Sequence, residues 1–273
     1  MLTTVIIPAF NHPDLLRRSL DSLVSQICTD FEVIVVDDGS ECSLEHTVSP
    51  YCDCLNLKFY RTKNSGKPSV PRNYAASIAK TEYISFLDSD DFYHPYYISK
   101  VNDFLSMSKL SYDLVHTSGF LSAFGDPKPI KRFSSTYKSY SVSEMLSKGN
   151  QIVLSSVTLN RRSFLELSGF SSTRWEDYHF YITMAQHRMK FAFIDLPLIF
   201  HSVDDRYSNK SKRNNQGLLT ITKRLNDMNI KKDQFGIYPI LLGEVAFLGI
   251  ILYLFLIILF MRLLIFVSAI ALS

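Results

Sequence analysis

Short apolar runs alternate with helical repeats along the first hundred residues. Val5-Ile6-Ile7 reads as a buried strand ending at Pro8, and Pro13 suits the first turn of a helix. In that helix Leu15, Leu16, Leu20, Leu23 and Val24 recur at helical spacing. Phe31 to Val36 is apolar on both faces and β-branched, and it stops at Asp37-Asp38-Gly39-Ser40. Leu57 to Tyr60 predicts a third strand and Pro71 to Lys80 an Ala-rich helix. Tyr83 to Leu87 is another strand, closed by Asp88-Ser89-Asp90-Asp91. Val101, Phe104 and Leu105 mark a helix after Pro95, and Asp113 to Thr117 one more strand.

Short, continuously apolar strands alternating with helices predict an α/β fold with a mostly parallel sheet covered on both faces. Ligands of such sheets bind beyond the carboxyl ends of the strands. Two strands here end in acidic clusters, so both clusters should converge on one edge. After about residue 118 the rhythm weakens. Gly119 to Tyr140, rich in Ser, Pro, Lys and aromatics, is expected to form a loop over the site. Gln151 to Leu159 is β-like, Trp175 to Met189 helical, and Phe191 to Asp195 a final strand. Residues 202–217 are polar and basic and read as a connector.

Composition narrows the picture. A hydrophobic fraction of 47% with 20% charged residues fits a globular chain and not a disordered one. The net charge of +3 is too small to indicate nucleic acid as a partner. Cys28, Cys42, Cys52 and Cys54 lack zinc-site spacing and read as free thiols of a reducing compartment. The run from Thr4 to Pro8 has neither a basic start nor a cleavage pattern, so it is not read as a secretory signal.

The tail has a different character. Val245 to Met261 is 17 residues without a charge, followed by Arg262 and a second apolar run, Leu263 to Leu272. The first run spans ~25 Å as a helix, just short of a ~30 Å hydrocarbon core. A membrane-associated hydrophobic helix is expected, with a buried core helix, or two short segments meeting at Arg262, as alternatives. Lys210, Lys212, Arg213, Lys223, Arg224, Lys231 and Lys232 precede it, which by the positive-inside rule keeps the large N-terminal part cytoplasmic.

Three carboxylates within four residues, Asp88, Asp90 and Asp91, repel one another unless a cation or donors neutralise them. Mg²⁺ or Mn²⁺, hard ions that bridge carboxylates to phosphates, suit such a turn; a solvated loop or helix cap is the plainer alternative. Asp37-Asp38-Gly39-Ser40 offers acids to a ribose or base N–H, though Asp-Gly is also an ordinary turn.

Four stretches, Val5 to Asn11, Val35 to Ser40, Pro71-Arg72-Asn73 and Phe86 to Asp91, together resemble the family 2 inverting glycosyltransferases, which have the GT-A fold. The resemblance implies a nucleotide-sugar donor, with UDP expected because it is common in the family. It implies a base pocket lined by Pro8, Phe10 and Asp38. Asp90 would sit near the ribose, Asp91 would hold the metal with Asp90 beside it, and Arg72 would support the diphosphate or the acidic loop. Phe10 stands where many members have tyrosine, which keeps a stacking surface and removes a hydroxyl. Gly169-Phe170 and Trp175-Glu176-Asp177 resemble the family's acceptor-side segment. On that match Asp177 is the catalytic base and Glu176 supports it or contacts the acceptor. The alternative is that both acids only complement a helix dipole.

The domains expected are a nucleotide-sugar half at 1–118, an acceptor half at 119–205, a basic connector at 206–236 and a membrane-associated segment at 237–273. Basic connector residues such as Arg206 and Lys210 would close over the diphosphate or face the membrane. His201 is expected near the metal and phosphates or in a structural role. The acceptor expected is a glycan, a lipid-linked glycan or a polyprenyl phosphate. Two competing readings are a sugar nucleotidylyltransferase, disfavoured because Pro8 to Pro13 has no glycine, and a non-catalytic scaffold.

Overall fold

A computed structural model of the protein describes residues 1–123 and 128–203. The expected connector at 206–236 and hydrophobic segment at 237–273 lie outside the described residues, among which no helix is long and apolar enough to cross a membrane.

The first half follows the apolar pattern. It runs β1 (Thr3–Ala9), α1 (Pro13–Val24), β2 (Phe31–Asp37), a short α2 (Glu45–Val48), β3 (Leu57–Arg61), α3 (Ser69–Ile78) and β4 (Tyr83–Phe86). Then come β5 (Phe92–Tyr93) and α4 (Tyr97–Met107). β3, β2, β1 and β4 lie side by side and parallel. Their runs lack polar alternation because both faces are covered. Val5, Ile7, Val33 and Val35 pack with Leu16 and Leu20 of α1 and Tyr97 and Val101 of α4. On the opposite face Phe86 meets the rings of Phe164 and Phe170.

β1 runs past the expected stop at Pro8, which pairs in register with Val36. Pairing of β1 with β4 ends at Ile6, whose carbonyl accepts from the Leu87 N–H, while the Ala9 carbonyl accepts from Asp38 on the β2 side. Pro8 therefore faces the β4 side, beyond the last pair, where its missing donor costs no ladder bond.

The second half departs further from expectation. It comprises β6 (Leu114–Ala123), β7 (Pro129–Phe133), α5 (Val142–Lys148), β8 (Val157–Asn160), α6 (Arg161–Glu166), α7 (Glu176–Gln186) and β9 (Phe191–Val203). The sheet order is β3-β2-β1-β4-β8-β6-β9-β5, with β7 on β6. β8 pairs antiparallel to both β4 and β6, and β5 pairs antiparallel to β9, so only the block β3-β2-β1-β4 is uniformly parallel.

Part of the loop expected from Gly119 to Tyr140 is a β6–β7 pairing. Gly119 permits it: a Cβ there would lie 2.5 Å from Ile199 Cγ1 and 2.7 Å from the Phe133 ring. β9 does not stop at Asp195. It shifts register near Pro197 and continues beside β6 to Val203. α7 ends before Met189 because Arg188 turns left-handed, with φ 56°.

Candidate active site

The carboxyl ends of β1, β2 and β4 open into one cleft of about 890 Å³, lined by Pro8, Phe10, Asp38, Arg72, Asp88 and Asp90 among others. Both acidic turns thus meet on one edge, as the strand order requires. Phe10 sits on the rim and is 45% exposed. It is presented by a double left-handed turn, Asn11 and His12 both having φ 54°. That turn is held by the Asn11 N–H donating to Ser40 Oγ and by Asn11 Oδ1 accepting from Glu41.

The two aspartates of the first turn divide their work. Asp37 is fully buried and accepts from the Ser40 N–H and hydroxyl and from Leu44 N–H, shaping the turn. Asp38 lines the cleft and accepts from the Ser65 N–H at 3.1 Å and the Ser65 hydroxyl at 2.8 Å. Gly39, at φ +72°, brings this turn against Asn64, whose backbone nitrogen would lie 2.3 Å from any added Cβ. The turns after β2 and β3 therefore form one wall.

The second turn divides its three carboxylates as well. Asp88 takes Arg72 Nη2 at 2.5 Å. Asp91, expected on the metal, is instead fully buried: it accepts from Ser155 Oγ and the Ser202 N–H and pairs with His201 Nδ1 at 3.0 Å. Donors from two other chain segments occupy both its oxygens, which makes Asp91 the anchor of the turn. Asp90 lines the cleft, and among the described residues no ion pair reaches it. Burial, followed by the charges of Asp91 and Asp88, pushes its pKa up to about 7. Among the described residues no three His, Cys, Asp or Glu side chains are arranged to hold a metal unaided.

Arg72 joins the two halves. Its buried guanidinium forks to Asp88 and, through Nη1 at 2.8 Å, to Glu176 at the start of α7. Burial opposes its charge, but Asp88 and Glu176 outweigh that and hold its pKa above the usual arginine value. Asn73 adds a clamp that sequence reasoning missed, exchanging two hydrogen bonds with the backbone of Phe170, at 2.7 and 2.9 Å. Gly169, at φ +66°, admits the clamp, since a Cβ there would lie 2.6 Å from Asn73 Oδ1.

Asp177 is half-buried and faces a second cavity of about 600 Å³, lined also by Asn150, Gln151, Trp175 and Glu176. Asn150 Nδ2 donates to its Oδ2 at 3.2 Å. Burial pushes the Asp177 pKa up to about 6. Arg72, Asp88 and His201 line both cavities and form the junction between them. Burial works against protonation of His201, yet the Asp91 charge and hydrogen bond outweigh it and raise its pKa to about 9. With Nδ1 committed to Asp91, Nε2 is the ring atom left for the junction. The long β9 delivers His201; the apolar run Leu198-Ile199-Phe200 was the readable signal that it continued.

A parallel half ending in two acidic turns, followed by a half that returns acids to the same rim, is the GT-A class of glycosyltransferase fold. The chain belongs to glycosyl transferase family 2, whose model matches residues 4–166. That membership supports the transferase expectation over the nucleotidylyltransferase reading. It is 40% identical over 95 residues to the poly(ribitol-phosphate) beta-N-acetylglucosaminyltransferase TarP of Staphylococcus aureus, covering 33% of this chain and 29% of TarP. It is 44% identical over 96 residues to a poly(ribitol-phosphate) beta-glucosyltransferase of Bacillus spizizenii, covering 34% of this chain and 15% of that protein. The chain thus spans under a third of the length of these curated relatives. A longer match, 30% identical over 183 residues, covers 66% of this chain and 70% of a Haemophilus influenzae glycosyltransferase. Among solved structures, S. aureus TarS 1–349 in complex with UDP-GlcNAc shares the fold with a TM-score of 0.61 at 23% identity, over 74% of this chain and 59% of that one. A Pyrobaculum calidifontis mannosyltransferase in complex with GDP-Man and Mn²⁺ has a TM-score of 0.58 at 17% identity, over 75% and 57%.

Proposed function

We propose that the protein transfers a sugar, with inversion, from a nucleotide-diphosphate sugar to an acceptor hydroxyl in the synthesis of a surface glycan. One observation carries this reading. Two cavities meet at Arg72, Asp88 and His201, with the nucleotide-type cleft on one side and a carboxylate of raised pKa, Asp177, on the other.

The donor's nucleotide occupies the first cleft. Pro8 and Asp38 wall the base pocket, and the exposed ring of Phe10 offers the base a stacking face. The site's residues fit a divalent cation, Mn²⁺ or Mg²⁺. Asp91 and Asp88 are neutralised within the protein, while Asp90 carries a charge that burial and its neighbours disfavour. Asp90, with Asp88 beside it, would hold the ion, and diphosphate oxygens would complete the coordination that the protein lacks. When bound, the ion supplies Lewis-acid charge to the departing diphosphate.

On the acceptor side Asp177 takes the hydroxyl proton as the acceptor oxygen bonds to the anomeric carbon. A carboxylate near pKa 6 is ionised at neutral pH yet basic enough to accept that proton. The bond from the anomeric carbon to the diphosphate oxygen breaks, and its electron pair leaves with the nucleoside diphosphate. Attack from the opposite face inverts the centre. Glu176, held by Arg72, fixes the start of α7, and the His201 imidazolium adds positive charge at the junction.

UDP is the favoured nucleotide, supported by the UDP-GlcNAc complex of TarS. The acceptor is a glycan, free or lipid-linked, or a polyprenyl phosphate, and the uncharged tail Val245 to Met261 with its preceding basic residues holds the enzyme to the cytoplasmic face of a membrane. The test is nucleoside diphosphate release from a panel of nucleotide sugars, with and without Mn²⁺, using detergent-solubilised protein beside Asp177→Asn. Metal-dependent release from one donor, lost in the variant, is expected. No release and no donor binding across the panel would overturn the reading.

A further inference from the structure

Resting on the transferase reading above, we infer that Trp175 is the platform on which a pyranose ring of the acceptor stacks, so that the accepting unit is a cyclic sugar and not an open-chain polyol phosphate. Trp175 has φ 64° and ψ 37°, the left-handed region. For a bulky residue that conformation costs ~1–2 kcal/mol, and glycine or asparagine would adopt it with less penalty. Nothing in the helix asks for tryptophan there. It is the N-cap of α7, and its side chain makes no capping hydrogen bond. Nor does it fill the core, being only half-buried.

What the position does accomplish is to bring Trp175, whose ring centre lies 5.9 Å from the Arg174 guanidinium, to the wall of the Asp177 cavity. Asn150, Gln151 and Thr136 line the same cavity and bring amides and a hydroxyl to it. Asn150 at the same time holds the Asp177 carboxylate. A flat aromatic face beside convergent amides and carboxylates matches a pyranose, which presents a face of C–H bonds and an edge of hydroxyls. An open-chain polyol has no such face. A ring lying on Trp175 directs an edge hydroxyl toward Asp177, two positions along the chain, where the proton is to be removed. The enzyme's preference would then differ from the poly(ribitol-phosphate) acceptors for which two of its relatives are named.

Trp175 is the chain's one tryptophan, so its emission reports on this position alone. Detergent-solubilised protein of residues 1–273 loaded with UDP and Mn²⁺ is titrated with chitotriose, cellotriose, maltotriose and ribitol 5-phosphate. A saturable change with at least one trisaccharide and none with ribitol 5-phosphate is expected. Trp175→Gly, which relieves the backbone strain, should raise the KM for the accepted sugar about tenfold or more, with the donor Kd within about twofold. Trp175→Phe, keeping a flat ring, should recover most of that loss. A flat response to every trisaccharide, an acceptor KM indifferent to Trp175→Gly, or efficient transfer to ribitol 5-phosphate would overturn the assignment. Absence of UDP and donor binding in these samples would instead sink the transferase reading, and the role of Trp175 with it.

Discussion

Four carboxylates of the cleft region differ in what surrounds them, and that difference sets their work. Asp91 is saturated by donors, Asp88 is paired with Arg72, Asp90 is crowded by like charge, and Asp177 is half-buried beside one amide. Asp177→Asn should lower the rate of transfer about 10²–10⁴-fold, with donor affinity by calorimetry unchanged. As the proposed base, the carboxyl must be ionised to accept a proton, and its native pKa is raised to about 6. The kcat/KM should therefore hold above that pH and fall roughly tenfold per unit below it, checked by a pH–rate profile. Arg72→Ala leaves Asp88 and Glu176 facing each other without their cation and should cost about 3 kcal/mol of stability by urea unfolding.

At the scale of elements, the site depends on a few close approaches between loops. The turn after β2 rests on the segment after β3 through Gly39, and α3 is clamped to the Phe170 segment through Asn73 and Gly169. Gly169→Ala combines a left-handed backbone with a clash against Asn73 Oδ1 and should cost about 1–3 kcal/mol. Asn73→Ala orphans two backbone groups of Phe170 and should cost a similar amount, about 1–3 kcal/mol. Because both changes act on the same clamp, the double variant should lose less than the sum, which chemical denaturation would reveal.

For the whole molecule, the consequence concerns coupling between metal and nucleotide. On the proposed mechanism Asp90 and Asp88 give the ion few protein ligands, so the ion and the diphosphate should bind as a pair. Mn²⁺ alone should move the Tm little, whereas UDP with Mn²⁺ should raise it well beyond either alone, as measured by thermal shift. Chelation with EDTA should abolish nucleoside diphosphate release, and added Mn²⁺ or Mg²⁺ should restore it.

Much of the first half was legible because its signals are local. Apolar runs without alternation report strands buried on both faces, and acidic turns at their ends report the ligand edge. The sequence by itself thus determined the strands β1 to β4, their parallel arrangement, and the edge on which Asp38 and Asp90 meet. The partner of each acid was a matter for the tertiary structure alone. Arg72 reaches Glu176 across 104 residues, and His201 reaches Asp91 across 110. Neither separation leaves a trace in periodicity or spacing. β9 is an intermediate case: Leu198-Ile199-Phe200 is its local signal, but the pairing that carries it past Pro197 is supplied by β6 and β5. Carboxylates of one type, close together in sequence, were told apart only by the donors that folding brought to them, because burial and pairing decide which acid stays charged and exposed.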